Sequence, residues 1–291
     1  MNENNKLALG TVQFGLDYGI NNKTGRVKND EVSRILAKAH QSGIRFLDTA
    51  QAYGQSETVL GESLSKSTDS FNIITKIFKE NSHRLTESLK ESHVRLQQKT
   101  ISGILYHNFD AYTTNPESIS EMYDAKVKGL VGNIGFSLYS PFELDYIFEQ
   151  KIDFDFVQIP FNIYDRRFAM YLPKLKEKGI TVFCRSAFLQ GLTFIEPSDL
   201  HPYFTKLKTK QELLHKVAKK YDISIASLCL NFTVAQKGID YVVIGVDNLS
   251  NLELNLQTIS ELDKVKTIIT ELDQLEETDE QLLLPYNWKI S

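Results

Sequence analysis

Short apolar runs bounded by Gly, Asp or Asn alternate along this chain with longer segments whose apolar positions recur at helical spacing. The runs are Leu7 to Gly10, Arg45 to Asp48, Asn72 to Lys76, Ser102 to His107, Gly132 to Ser137, Phe156 to Pro160, Thr181 to Ser186 and Tyr241 to Gly245. Their length and bounding residues read as strands. Between them Val32, Ile35, Leu36 and Ala39 share one helical face, and Leu213 to Ala218 and Leu249 to Leu256 show the same spacing. Asp30, Asn115, Ser140 and Asn248 are candidate N-caps, and Gly43, Gly129 and Gly179 stand where helices would stop.

Eight such units predict an α/β fold, a closed parallel (β/α)8 TIM barrel forming one domain over residues 1–291. An open doubly wound sheet alternates strands and helices too. It would want GxGxxG after the first strand, and Gly10-Thr11-Val12-Gln13-Phe14-Gly15 does not match. In a barrel the active site is built at the C-terminal ends of the strands, where Asp48, Lys76 and His107 fall.

Those strand ends carry the candidate chemistry. The segment GIRFLDTAQAYGQSE, Gly43 to Glu57, ends one run at Asp48 and places Tyr53 in the following loop. Lys76 and His107 end the next two runs. An acid, a phenol, a lysine and an imidazole are the groups that proton donation to a carbonyl requires. A free tyrosine is a poor acid–base catalyst at neutral pH, and an ammonium group within hydrogen-bonding distance would lower its pKa. In that arrangement Asp48 keeps Lys76 charged, and His107 orients the substrate oxygen. Taken singly, each has a plainer reading: a cap, one of 13 tyrosines, a rim lysine, a core histidine.

Composition narrows the classes. With 42% hydrophobic residues, 24% charged residues and a net charge of −4, the chain is an ordinary globular protein with no basic tract for nucleic acid. Its N-terminal residues lack the charged and apolar pattern of a signal peptide or membrane anchor, so a cytoplasmic location is expected. Cys184 and Cys229 lie in apolar contexts without metal-ligand spacing, so buried thiols are expected and no metal site.

The set Asp48, Tyr53, Lys76 and His107, in this order and spacing, resembles the aldo-keto reductase superfamily over nearly the whole chain. The resemblance implies a barrel that binds NADP(H) or NAD(H) and reduces a small-molecule carbonyl. In it Tyr53 is the general acid, Lys76 lowers its pKa, Asp48 anchors Lys76 and also meets the cofactor, and His107 orients the carbonyl. It also implies a cofactor cradle of Gly10, Thr11, Ser137, Gln158, Arg185, Ser186, Leu189, Gly191, Gly245, Asn251 and Asn255.

Three positions depart from the family pattern. Arg185 stands where an aromatic residue commonly stacks on the nicotinamide; it can stack or bind an anionic substrate group. Leu138 replaces a frequent asparagine. Gly245, Val246 and Asn251 replace the residues that hold the 2′-phosphate of NADPH, with Asp247 nearby, so a weakened NADP(H) preference is expected. Gln51, Phe14, Tyr18, Tyr139 and Phe188 are candidates for the substrate wall, and Arg166-Arg167 is either a helix-start charge pair or part of the mouth. A lyase using Lys76 as a Schiff base, or a cofactor-binding regulatory relative, are the alternatives.

Overall fold

A computed structural model describes residues 6–19, 22 and 25–289. Eight parallel strands close into a barrel in sequence order: β1 (Leu7–Gly10), β2 (Phe46–Asp48), β3 (Asn72–Ile77), β4 (Ile101–Tyr106), β5 (Val131–Ser137), β6 (Phe156–Pro160), β7 (Thr181–Arg185) and β8 (Tyr241–Gly245). The eight expected runs are these strands to within one residue at each end; His107 and Ser186 fall just beyond β4 and β7.

The outward side chains, among them Leu7, Leu9, Leu47 and Ile73, pack against the helices in the main core. The inward side chains form a second cluster of Ala8, Ile74, Leu105, Phe156 and Phe183, flanked by Phe46, Tyr241 and Val243. Strand side chains repeat every second residue, so two positions further toward the C-terminal end another inward layer must follow. It consists of Gly10, Asp48, Lys76, His107, Gln158, Arg185 and Gly245, with Ser137 across from Gln158 in the β5–β6 register. The barrel interior thus turns from apolar to polar within one pleat.

Helix ends follow local chemistry. Ser140 forms a capping box with Glu143, and the Asn248 side chain accepts from the Asn251 N–H. Asp30 and Asn115 do not cap: the helix Asn29–Gln41 already includes Asp30 in its first turn, and Asn115 instead donates to the Ser82 carbonyl. Asn108 caps the short helix Phe109–Thr113. Gly43, Gly129 and Gly179 end their helices with φ of 86°, 69° and 70°, the left-handed region that a Cβ disfavours.

The C-terminal tail lies on the mouth side. Glu277 bridges to Asp165 beyond β6, Arg166 pairs with Asp273 at 3.0 Å, and Arg167 pairs with Glu280 at 2.5 Å. Trp288 packs edge-on to Phe204 at 4.9 Å and donates to the Leu282 carbonyl.

Candidate active site

A cleft of about 500 Å³ opens at the C-terminal end of the barrel. Its inner end is built from β2, β3 and β4. Asp48 is 4% exposed, and the Lys76 Nζ donates to both its carboxylate oxygens at 2.7 Å and to the Thr49 carbonyl at 2.9 Å. Gln158 donates to Asp48 Oδ1 at 2.8 Å. An ammonium has three protons, and these three acceptors take all of them. Lys76 is 1% exposed and stands behind Asp48 rather than in the cleft wall.

Tyr53 reaches the cleft because its loop is tied down. Thr11 Oγ1 donates to the Asp48 carbonyl at 3.0 Å, Ser56 Oγ to the Thr11 carbonyl at 2.8 Å, and Thr49 Oγ1 to Ser56 Oγ at 3.0 Å. Gly15 lets the loop settle: a Cβ there would lie 1.8 Å from the Tyr53 carbonyl oxygen. The Tyr53 ring meets His107 edge-on, with centroids 5.5 Å apart, and the Lys76 Nζ lies 5.0 Å from the Tyr53 centroid.

The electrostatics differ from the expectation that Lys76 depresses the Tyr53 pKa. Burial, then the Asp48 charge and the Tyr18 and Tyr139 hydroxyls, push Tyr53 well above its ordinary value, and the opposing cation is Arg185. Lys76 directs its protons to Asp48 and Thr49 rather than to the Tyr53 hydroxyl. Burial also pulls Lys76 down, against the support of Asp48. His107 is pulled down to about 3 by burial and by Lys76 and Arg185, so it is a neutral imidazole at physiological pH.

From this end the cleft runs past Ser137 and Gln158 to Gly10 and Gly245, which are paired in register, and on to Asp247, Asn251 and Asn255. A Cβ on Gly245 would come within 2.8 Å of the Gln13 side-chain amide and push it aside, so glycine here leaves room for that amide on the cleft floor. After β7 the chain bends through positive φ at Ser186, Leu189, Gln190 and Gly191. Ser186, Gln190 and Gly191 line the cleft, whereas Leu189 is fully buried in the core, because its left-handed backbone turns the side chain inward. Thr11 lines the cleft too, with its hydroxyl spent on the β2 loop.

Of the expected wall residues, Tyr18, Tyr139 and Phe188 line the cleft; Phe14 and Gln51 do not. Phe14 is fully buried, and the Gln51 amide donates to the Ser88 carbonyl and to Ser92 Oγ. Arg166 and Arg167 belong to the ion pairs that hold the tail. Gln13 and Phe194 line the cleft without having been singled out. A polar Gln13 among apolar neighbours at the end of the first strand was the available signal. Its Oε1 is buried with no partner among the described residues, which suits a ligand donor. The Arg185 Nε–H is likewise buried without a partner among the described residues, and as a donor it would meet a ligand acceptor. Both cysteines are buried thiols, and burial pushes Cys229 up to about 12. Among the described residues no group of acidic, His and Cys side chains could hold a metal, and no helix is long and apolar enough to cross a membrane.

Comparison with known proteins agrees with this architecture. The sequence pattern of the Aldo/keto reductase family matches residues 6–277. L-galactose dehydrogenase of Arabidopsis thaliana is 26% identical over 281 residues, covering 90% of this chain and 88% of that protein. The uncharacterized oxidoreductase YqkF of Bacillus subtilis (strain 168) is 25% identical, covering 80% and 83%. Among solved structures, the holo form of the aldo-keto reductase AKR11C1 from Bacillus halodurans superposes with a TM-score of 0.76 at 20% identity, covering 95% of each chain. With the family pattern spanning nearly all of the barrel, the chain belongs to the aldo/keto reductase family and is an NAD(P)-dependent oxidoreductase.

Proposed function

We propose that this protein reduces an aldehyde or ketone to an alcohol with NADPH or NADH, and that Tyr53 is the proton donor. The observation that carries this is the Tyr53 ring set edge-on against His107 at the inner end of a cleft long enough to continue past Ser137 and Gln158 to Asn255. A sugar-derived carbonyl fits the polar mouth, and the plant relative is named for a sugar.

The wall suits a nicotinamide dinucleotide. Glycines at Gly10 and Gly245 keep the floor flat, and the orphaned Gln13 Oε1 can accept from a ligand hydroxyl. Ser137 and Gln158 would hold the amide end, Ser186, Gly191 and the backbone around Leu189 the diphosphate, and Asn251 and Asn255 the adenosine end, with Gly10 and Thr11 beneath the ribose. When bound, the cofactor supplies the hydride.

The residues of the chain do the rest. The His107 imidazole, neutral and therefore able to donate a single N–H, orients the carbonyl oxygen. Tyr53 holds its proton until negative charge develops on that oxygen; an alkoxide is more basic than a phenolate, so transfer runs downhill. Lys76 is a positioning residue: it neutralises Asp48, so that the acid beside Tyr53 does not raise the phenol further. The same pairing disfavours a Schiff-base role, because Lys76 is ion-paired and lies outside the cleft wall.

Asp247, whose carboxyl is raised by partial burial, lies beside the adenosine end, and among the described residues no lysine or arginine lines that end. A carboxylate repels a 2′-phosphate and suits a ribose hydroxyl, so NADH is accepted at least comparably with NADPH. The test titrates wild type and Tyr53→Phe with both cofactors by fluorescence, then follows nicotinamide absorbance over a panel of aldehydes and sugar-derived carbonyls. Binding by both proteins with turnover only by wild type supports the proposal. Failure of both cofactors to bind would overturn it, and a preference of about a hundredfold for NADPH would overturn the NADH part, being worth about 2.7 kcal/mol.

A further inference from the structure

We propose that the carbonyl substrate also carries an anionic group, a carboxylate or a phosphate monoester, and that Arg185 binds it; this deepens the reductase function proposed above and rests on it. Arg185 occupies the inward position at the end of β7 and lines the cleft together with Tyr53 and His107.

Its guanidinium is held in place but left with donors to spare. One face lies against the Tyr139 ring, 4.0 Å from the centroid. Nη2 donates to the Leu138 carbonyl at 3.0 Å, Nη1 reaches Ser186 Oγ only at 3.4 Å, and Nε is buried without a partner. A guanidinium has five N–H donors, so most of its capacity is unused. Among the described residues no carboxylate pairs with it. Glu143, the nearest acid in influence, accepts from the Tyr139 and Ser140 N–H groups in the helix cap.

A partly buried cation without a counterion is costly unless a ligand brings the charge. The other charges at this end cannot do so, since Asp48 is neutralised by Lys76 and His107 is uncharged. The Tyr53, Tyr18 and Tyr139 hydroxyls add further donors around the same space. Stacking on Tyr139 fixes the plane of the fork, and a fixed fork matches two oxygens of a carboxylate or phosphate. A neutral aldehyde would leave these donors unmatched.

The experiment compares kcat/KM for matched pairs, butanal with succinic semialdehyde and glyceraldehyde with its 3-phosphate, in wild type, Arg185→Met and Arg185→Lys, and measures cofactor affinity of each by calorimetry. In wild type the anionic member of one pair is expected to win by about 10- to 100-fold, the worth of a charged hydrogen bond. Which pair responds identifies carboxylate or phosphate. In Arg185→Met the ratio falls toward one, chiefly through KM for the anion, and Arg185→Lys keeps part of it. Equal rates within both pairs in wild type would overturn the inference while leaving the reductase function standing. A preserved ratio in Arg185→Met with weakened cofactor affinity would also overturn it and reassign the arginine to the cofactor diphosphate. If neither cofactor binds wild type, the reductase function fails and this inference with it.

Discussion

The loop after β6 and the end of β7 are neighbours on the barrel mouth: Phe161 N–H bonds the Arg185 carbonyl, and Asn162 bonds that of Ser186. Each carries arginine, yet the two environments are opposite. Arg167 meets the fully buried Asp165 through Nε and Nη2, at 2.9 and 2.8 Å, and Glu280 through Nη1. Arg185 meets a carbonyl, a distant hydroxyl and a ring. An arginine whose donors the protein satisfies is a structural clamp, here holding the tail; one whose donors are left over at a cleft is free to meet a ligand, the role proposed for Arg185. The charge is the same, and the acceptors decide the role.

Removing the proposed proton donor should produce the largest effect. Tyr53→Phe keeps the ring against His107 and loses only the hydroxyl, so kcat is expected to fall about 10²- to 10⁴-fold while cofactor affinity is retained. Steady-state assays with parallel binding titrations check this, and unchanged kcat would remove Tyr53 from the mechanism.

Next in size is the clamp. Arg167→Met strips Asp165, fully buried, of its bidentate partner and should cost about 3–5 kcal/mol of stability, read from the urea midpoint. Turnover at low temperature, where the barrel remains folded, should stay near wild type. A loss of activity without a loss of stability would contradict the division between the two arginines.

His107 supplies a pH test. Its pKa is about 3 in the folded protein and near 6.5 when unfolded, so the unfolded state binds the extra proton between these values. Stability is therefore complete above about pH 6.5 and is lost as pH falls toward 3, at a slope of up to about 1.4 kcal/mol per pH unit. Chemical denaturation of wild type and His107→Gln across that range should show a shallower slope in the variant. The same shift means that protonation of His107 does not shape the activity profile between pH 5 and 8.

The smallest effect sharpens the comparison most. Arg185→Met strands no buried carboxylate, so its change in stability should stay within about 1 kcal/mol, far below that of Arg167→Met. Equal losses for the two would mean that Arg185 is a second clamp.

Much of this was legible in the chain. Eight apolar runs with helical segments between them gave the barrel, because burial on a pleated strand and on a helical face imposes different spacings. Asp48, Lys76 and His107 stood out because a polar residue ending an apolar run is conspicuous. That the Leu189 side chain lies in the core was not legible, because sequence says nothing of the left-handed turn that directs it there. Gln51 and Phe14 looked like wall residues from their loops alone, and neighbours remote in sequence, Ser88 and Ser92 for Gln51, claimed the first. The two caps expected at Asp30 and Asn115 failed because Asp30 lies inside the first turn, behind Lys28, and Asn115 stands ahead of a helix whose N-cap is Glu117, its amide spent on the Ser82 carbonyl.

By itself the sequence determined the strand and helix periods, the inward rail of alternate residues and the chemical types at its polar end, since these depend on covalent order and the two-residue repeat of a strand. Only the tertiary structure decided that Lys76 spends all three protons on Asp48 and Thr49 and leaves the Tyr53 pKa raised, that the tail lies over the mouth, and that Arg167 is paired while Arg185 is not. Each of these depends on which acceptors lie within hydrogen-bonding reach and how much water burial removes, quantities that arise only when distant parts of the chain are brought together.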